Sequence, residues 1–405
     1  MKAVKVKTLY ADPGKKLEKE VIVTFDSKIT GIVPWSAESS LDPSLEVIDM
    51  KEKVMVPGLI DGHGHLIHGG DVFRPEDVPH YEKNMEMQVC VRNVRRALSK
   101  GITTLRDCGG TAETLFALRQ GIREGITEGP DLILAGAPIT PTGGHTYYMG
   151  GSVDGPVAIC KKIREQRLMG ADYVKIMVTG GGTPRTLPGV LTFSREELQA
   201  AVDEAHRLDR KAIAHATCKQ GIVECLEVGV DEIEHCSFTT KGKPDYDPKL
   251  AERIVQQNVV VCPTLAVFKE SIDYLNQIGQ ERPLTDYENE RLSWFKSMDD
   301  VNLELFSLMI RDGISMIAGT DAGWRLNTFG NICKELEYMV NGGMKNIDVL
   351  RSTTSFAADV LGIGEKTGRI SEGLQADMLV IDGDPADSIS NIRNVVQVFK
   401  DGKEI

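Results

Sequence analysis

Two histidines separated by a single residue, His63 and His65, stand at the end of an apolar run, Val56-Pro57-Gly58-Leu59-Ile60. In an extended chain residues i and i+2 point the same way, so both imidazoles face one side. Neutral imidazole is the commonest protein ligand for zinc, and the intervening Gly64 is expected to leave room for an ion. Similar chemistry recurs downstream. The strand-like stretch Tyr173 to Val178 carries Lys175 on the same face as Tyr173 and Met177, opposite Val174, Ile176 and Val178. A lysine inside such a strand costs on the order of several kcal/mol unless it is paired or chemically altered. Ala212-Ile213-Ala214 ends in His215, Glu232-Ile233-Glu234 ends in His235, and Ala318-Gly319-Thr320 leads to Asp321. Each has a plainer reading alone: a core histidine, an edge lysine, an N-cap aspartate. Ligand-type residues recurring at the same end of five strands point instead to a metal site.

Such a site needs elements that bring those ends together. Between residues 58 and 360 the chain alternates strand-like and helix-like stretches. The strand-like ones are Leu59–His63, Thr103–Arg106, Leu132–Ala135, Tyr173–Val178, Ala212–His215, Glu232–His235, Val259–Cys262 and Ser315–Ala318. Helical patterns lie between them. Ser194 with Glu197 forms a capping box ahead of Leu198, Val202, Ala205 and Leu208, Pro156 opens a helix reaching Met169, and Asn289 to Arg311 is a longer one. Strand–helix units in this number predict an α/β chain folded as a (β/α)8 TIM barrel, whose chemistry sits at the C-terminal strand ends. A doubly wound sheet would expect a Gly-rich fingerprint after its first strand, and none is present. Short β segments at both ends, such as Val21–Phe25 and Val395–Phe399, predict one small β-sandwich domain made from residues 1–57 and 361–405.

Composition narrows the class. The 405 residues carry a net charge of −12, which argues against a nucleic-acid partner. Among them 41% are apolar and no run reaches the length of a membrane span, so no membrane role is expected. Eight cysteines without a Cys-X-X-Cys pair, and a start lacking a signal-peptide core, suggest a cytoplasmic protein.

The pattern resembles the amidohydrolase superfamily across nearly the whole chain. The resemblance rests on the histidine pair, the strand-four lysine, the histidines of strands five and six and the aspartate after strand eight. The phrases VPGLIDGHGH, GITTLRD, GADYVKIMVTGGG, IEHCSF, AGTDAG and GRISEGLQADMLVIDGDP add to it. It is nearer to the imidazolonepropionase-like branch that holds Xaa-Pro dipeptidases and arginine or lysine carboxypeptidases. By that resemblance two Zn2+ ions, or another divalent metal, sit about 4 Å apart and acidify a bridging water. Lys175 is carboxylated and bridges them, His63, His65 and Asp321 serve the first, and His215 and His235 serve the second. Asp321 also acts as general base and then acid, giving hydrolysis of an amide-type C–N bond in a dipeptide, N-acyl amino acid or related small amide.

His145, in Thr142-Gly143-Gly144-His145, looks like the family's substrate histidine. Tyr147, Tyr148 and Arg185 lie in loops at the same end as substrate-contact candidates, and Gly180-Gly181-Gly182 is expected to let backbone approach a ligand. Peptidase relatives commonly carry an aromatic or imidazole side chain two residues after the strand-five histidine, reaching the substrate's carboxylate. Here Thr217 stands there, which opens neutral amides, carbamates, ureas and lactams as substrates. A deaminase or imidazolone-type cyclic-amide hydrolase of the same superfamily is an alternative, although single-metal deaminases generally lack the bridging lysine. A non-catalytic assembly protein is a remote one, since no ligand is missing. The expected partner is a small amide; association into a homo-oligomer stays open, and the segment 239–291 has no assigned role. His68, His80 and His206 receive no role, His206 being expected on a solvent-facing helix surface.

Overall fold

The computed structural model describes all residues except 72–80, 185, 187, 188, 242 and 325. Parallel strands Leu59–Gly64, Ile102–Asp107 and Asp131–Leu134 form one run, and Val174–Met177, Ala212–Cys218, Glu232–Thr240 and Val260–Cys262 a second. These are barrel strands one to seven. Their sequences read as near-continuous apolar runs because both faces are covered, one by helices and one by the barrel interior. Two seams join the runs. Asp172 N–H donates to Leu134 O at 2.8 Å and Ile139 bridges Ile176. Segment 315–318 closes the ring as the eighth member: Val261 N–H donates to Ser315 O at 3.0 Å and Gly62 N–H to Ala318 O at 2.9 Å. The fold is a (β/α)8 barrel, and the expected eighth strand is a single ladder step at Met316 rather than a full strand.

The helices follow their sequence signals. Arg195–Arg207 begins on the Ser194–Glu197 capping box, with both reciprocal hydrogen bonds formed, and buries Leu198, Ala201, Val202 and Ala205. Ser194→Ala removes the acceptor for the Glu197 N–H and is expected to cost about 1 kcal/mol, read as a lower urea midpoint at unchanged slope. Pro156–Met169 starts at its proline. Segment 239–291, which the sequence leaves without a role, contains strand seven and the helices Pro248–Gln256 and Lys269–Glu281, and leads into Asp286–Arg311. No described helix is long and apolar enough to cross a membrane.

Strands from both ends make a seven-stranded sheet, with Lys2–Asp12, Lys16–Phe25, Ile29–Pro34 and Glu46–Pro57 beside Met378–Ile381, Val395–Lys400 and Lys403–Glu404. Phe399 and Phe25 lie four strand steps apart along it, roughly 19 Å in a flat sheet. Their ring centroids are 5.1 Å apart. The sheet is therefore folded over on itself as a sandwich, closing a core of Val4, Val6, Val23, Met55, Met378 and Val380. Alternate residues of the same strands, Val54, Val56, Leu379 and Ile381, pack into the barrel's own core.

Candidate active site

Residues from six barrel strand ends converge on one cavity of about 330 Å³, lined by His63, His65, His145, Lys175, His215, Thr217, His235 and Asp321 among others. Ring centroids lie 5.4 Å apart for His63 and His65, 4.6 Å for His215 and His235, and 4.6 Å for His145 and His215. Asp321 Oδ1 is 3.6 Å from His63 Nε2 and 3.4 Å from His65 Nε2. Ligand atoms of His63, His235 and Asp321 all fall within 4.8 Å of one another. The strand alternation expected for Lys175 holds: Lys175 and Met177 line the cavity, while Val174, Ile176 and Val178 belong to the apolar core outside.

Each imidazole is fixed from behind. His63 Nδ1 hydrogen-bonds the Glu234 carboxylate, His65 Nδ1 donates to Gly109 O at 2.8 Å, and His235 Nδ1 is 2.7 Å from the Thr264 hydroxyl. Such outer partners set the tautomer and turn the remaining nitrogen toward the site. Burial drives the basicities of His65, His215 and His235 well below normal, with neighbouring imidazole charge adding to it. They are neutral donors. Burial pushes His63 the same way, but the Cys108 sulfur and the Glu234 carboxylate outweigh it and raise its pKa to about 10. A cation taken up at His63 therefore competes with a proton.

Lys175 is 1% exposed. Its Nζ is 3.7 Å from Glu234 Oε1, an ion-pair distance rather than a hydrogen bond. Among the described residues neither Lys175 Nζ nor His215 Nε2, both buried, has a hydrogen-bond partner. Buried polar atoms are nearly always satisfied, so two unsatisfied ones in one ligand-type cluster mark a place built for something else. Backbone strain gathers there too. His235, Thr264 and Asp321 have φ of 67°, 50° and 54°, a left-handed conformation that non-glycine residues visit rarely and that clusters at functional sites.

Other site expectations meet the structure as follows. Thr217 lines the cavity, its hydroxyl 3.2 Å from that of Thr179. His145 lines it as well, with Nδ1 held 2.7 Å from the Thr183 hydroxyl. Tyr147 is 43% exposed and absent from the lining, because its short 3-10 turn points the ring outward against Tyr148. Arg185 and His80 lie outside the described residues. His206 is on the surface, bonded to Asp231 at 2.9 Å. The backbone of Gly181 and Gly182 lines the cavity, as expected of the glycine run. A Cβ on Gly64 would come 2.9 Å from the Phe329 ring, and one on Gly181 2.5 Å from His145 Nε2. Gly64 therefore makes room for a neighbouring ring, and Gly181 for the His145 side chain that shares the cavity.

Sequence reading missed the layer beneath. Arg106, 1% exposed, sends Nη1 to Glu232 at 2.7 Å, Nη2 to Glu232 and to Glu234 at 3.1 Å, and Nε to Gly62 O at 2.7 Å. Glu234 is completely buried. Burial alone would raise its pKa, but His63, Lys175 and Arg106 hold it well below the normal range. Strict alternation would turn Glu234 away from His235; the left-handed turn at His235 and a register shift after it let both face inward. The only sequence signal was two glutamates two apart on an apolar strand. Glu335 was missed as well. It accepts the Leu265 and Ala266 N–H groups at 2.9 and 2.7 Å, fixing the turn that carries Thr264, and burial pushes its pKa up to about 8 against those bonds.

Comparison with known proteins bears on the fold and the family. Ochratoxinase of Aspergillus niger is 26% identical over 389 residues, spanning 86% of this chain and 75% of that protein. A crystal structure of a Xaa-Pro dipeptidase with methionine bound in its active site superposes with a TM-score of 0.85 at 24% identity, covering 100% of this chain and 99% of the other. A crystal structure of an amidohydrolase gives a TM-score of 0.85 at 27% identity, covering 100% and 98%. A sequence profile of the amidohydrolase family matches residues 54–405, from the end of the fourth sandwich strand through the barrel to the last residue. The chain belongs to the amidohydrolase family.

Proposed function

We propose that this protein is a two-metal hydrolase that cleaves the C–N bond of a small amide, adding one water to give a carboxylic acid and an amine. The observation that carries the reading is Lys175. A buried amine with no hydrogen-bond partner among the described residues opens onto a cavity whose other polar walls are imidazoles, a carboxylate and uncharged hydroxyl and amide groups. That donor set fits two divalent cations, zinc or a similar ion. Lys175, carboxylated on Nζ, would hold both. His63, His65 and Asp321 would complete one side, His215 and His235 the other. Divalent ions in such a site supply Lewis acidity toward a carbonyl and make water more acidic.

The chain's own groups do the rest. Asp321, within 3.6 Å of both His63 and His65, takes the proton of the attacking water and passes it to the leaving nitrogen. His145, its Nδ1 tied to Thr183, presents its ring to the substrate carbonyl. Glu234 holds the His63 ring in place. A one-metal deaminase is the second reading, and the buried lysine speaks against it, having no task there. Metal analysis separates them: two ions per chain fit the amide hydrolase, one fits the deaminase. Asp321→Asn is expected to lower kcat by about 10²–10⁴ with an unchanged thermal midpoint. Turnover within threefold of the parent would remove Asp321 from the proton path.

A further inference from the structure

One wall of the cavity plays no part in the chemistry above, and its makeup bears on what the amide must look like. Helix Asp286–Arg311 presents Trp294, Met298 and Asn302 to the cavity. Positions four apart share one helix face, so these make a single stripe. Trp294 at the rim is 40% exposed, and Met298 and Asn302 further along are half-buried. Phe268 and Val267, from the short turn after strand seven, lie beside them. Trp294 and Phe268 meet edge to face with centroids 5.3 Å apart, and Arg291 stacks at 4.6 Å from the Trp294 ring centroid. The indole is thus supported by two neighbours.

Outside the ligand cluster and this wall, the described hydroxyl lining is uncharged: Thr217, Ser237, Thr239 and Thr264. Among the described lining residues Lys175 is the only lysine or arginine, and it belongs to the ligand cluster. Among the described residues a free carboxylate on the substrate would meet no lysine or arginine on this side. Burying such a charge unpaired is expensive, whereas an aromatic ring gains by leaving water and stacking on Trp294.

We infer that the group beyond the scissile amide is uncharged and aromatic, and that Trp294, Met298 and Phe268 form its binding face, making neutral aryl amides the preferred substrate class over dipeptides and other free acids. The inference rests on the amide-hydrolase reading of the same site. Hydrolysis of such a compound breaks its C–N bond, with water's hydroxyl going to the carbonyl carbon and its proton to nitrogen.

The test uses purified full-length enzyme supplied with zinc and bicarbonate, and four compounds: acetanilide, N-methylacetamide, N-benzoylglycine and the N-methylamide of N-benzoylglycine. The neutral aryl compounds should exceed N-benzoylglycine in kcat/KM by at least about tenfold. Trp294→Ala should lower kcat/KM for acetanilide by a similar factor, and that for N-methylacetamide by distinctly less. A preference for N-benzoylglycine would overturn the inference, as would equal losses for aryl and methyl compounds. Should no compound be hydrolysed, calorimetric titration with the two neutral aryl amides decides the matter separately. Binding that weakens in Trp294→Ala keeps the aromatic face and rejects the reaction; no binding rejects the face.

Discussion

Lys175→Ala is expected to abolish turnover, by at least about 10³-fold, and to lower bound zinc from two ions per chain to one or fewer. The reason lies in charge. As an ammonium, Lys175 would be 1% exposed, with no hydrogen bond among the described residues and the Glu234 carboxylate 3.7 Å away. As a carbamate it would be an anion placed beside Glu234, and two like charges that close repel strongly in a dry interior. Divalent cations relieve that repulsion, so carboxylation and metal uptake should be coupled. Isotopically labelled bicarbonate should then give a carbamate signal in the metal-loaded protein that fades on chelation and fails to form in Lys175→Ala. Zinc reloading should in turn be faster with bicarbonate than without. If Lys175→Ala kept full activity with two metals bound, the two-metal reading would be wrong. The thermal midpoint is the control, since methyl for butylamine leaves a cavity but removes an unsatisfied polar group.

What was legible in the sequence follows from which signals are local. His63 and His65 announce themselves because the pleat forces i and i+2 to one side, and the lead-in Leu59–Ile60 marks them as a strand end. Helix starts at Ser194 and Pro156 are equally local, since one cap or one fixed φ decides them. The eighth strand was harder: around Met316 it contributes a single ladder step, held by hydrogen bonds to Val261 on one side and Gly62 on the other. Glu234 was hidden by a rule that usually works, alternation, which fails where His235 adopts positive φ. Gly64 was misread for a related reason. Its clearance is set by Phe329, which lies 265 positions later and comes close only once the barrel closes. The stripe of Trp294, Met298 and Asn302 has clear helical spacing, but nothing in the sequence says that it faces the strand ends rather than solvent. Turn geometry misled at Tyr147, where a 3-10 turn aims the ring away from the cavity.

Arg106→Met should be the most destabilising single change among those considered, by about 3–5 kcal/mol. Arg106 is the sole guanidinium bonded to either Glu232 or Glu234 among the described residues, and all three are 1% exposed or less. Methionine fills similar volume, so the loss is electrostatic rather than steric. It strands Glu232 and takes one of three cationic neighbours from Glu234 in a low-dielectric interior, and truncating one member of a buried charge group costs more than the group itself contributes. Chemical denaturation should show a lower midpoint at unchanged slope. Adding Glu232→Gln to Arg106→Met should recover part of the loss by removing one stranded charge, a coupling that a purely steric defect would not produce. The same network reaches the chemistry. Without the guanidinium, the charge of Glu234 is less compensated and acts more fully on His63 and Lys175, so the proton on His63 should be held more tightly and zinc should bind more weakly at a given pH. Competition with a coloured chelator at pH 7 and pH 10.5 measures this: the deficit of Arg106→Met relative to the parent should be full at pH 7 and shrink as pH rises past about 10, where His63 loses its proton in the parent. A deficit independent of pH would mean that Arg106 supports the barrel without setting the charge on the Glu234–His63 pair.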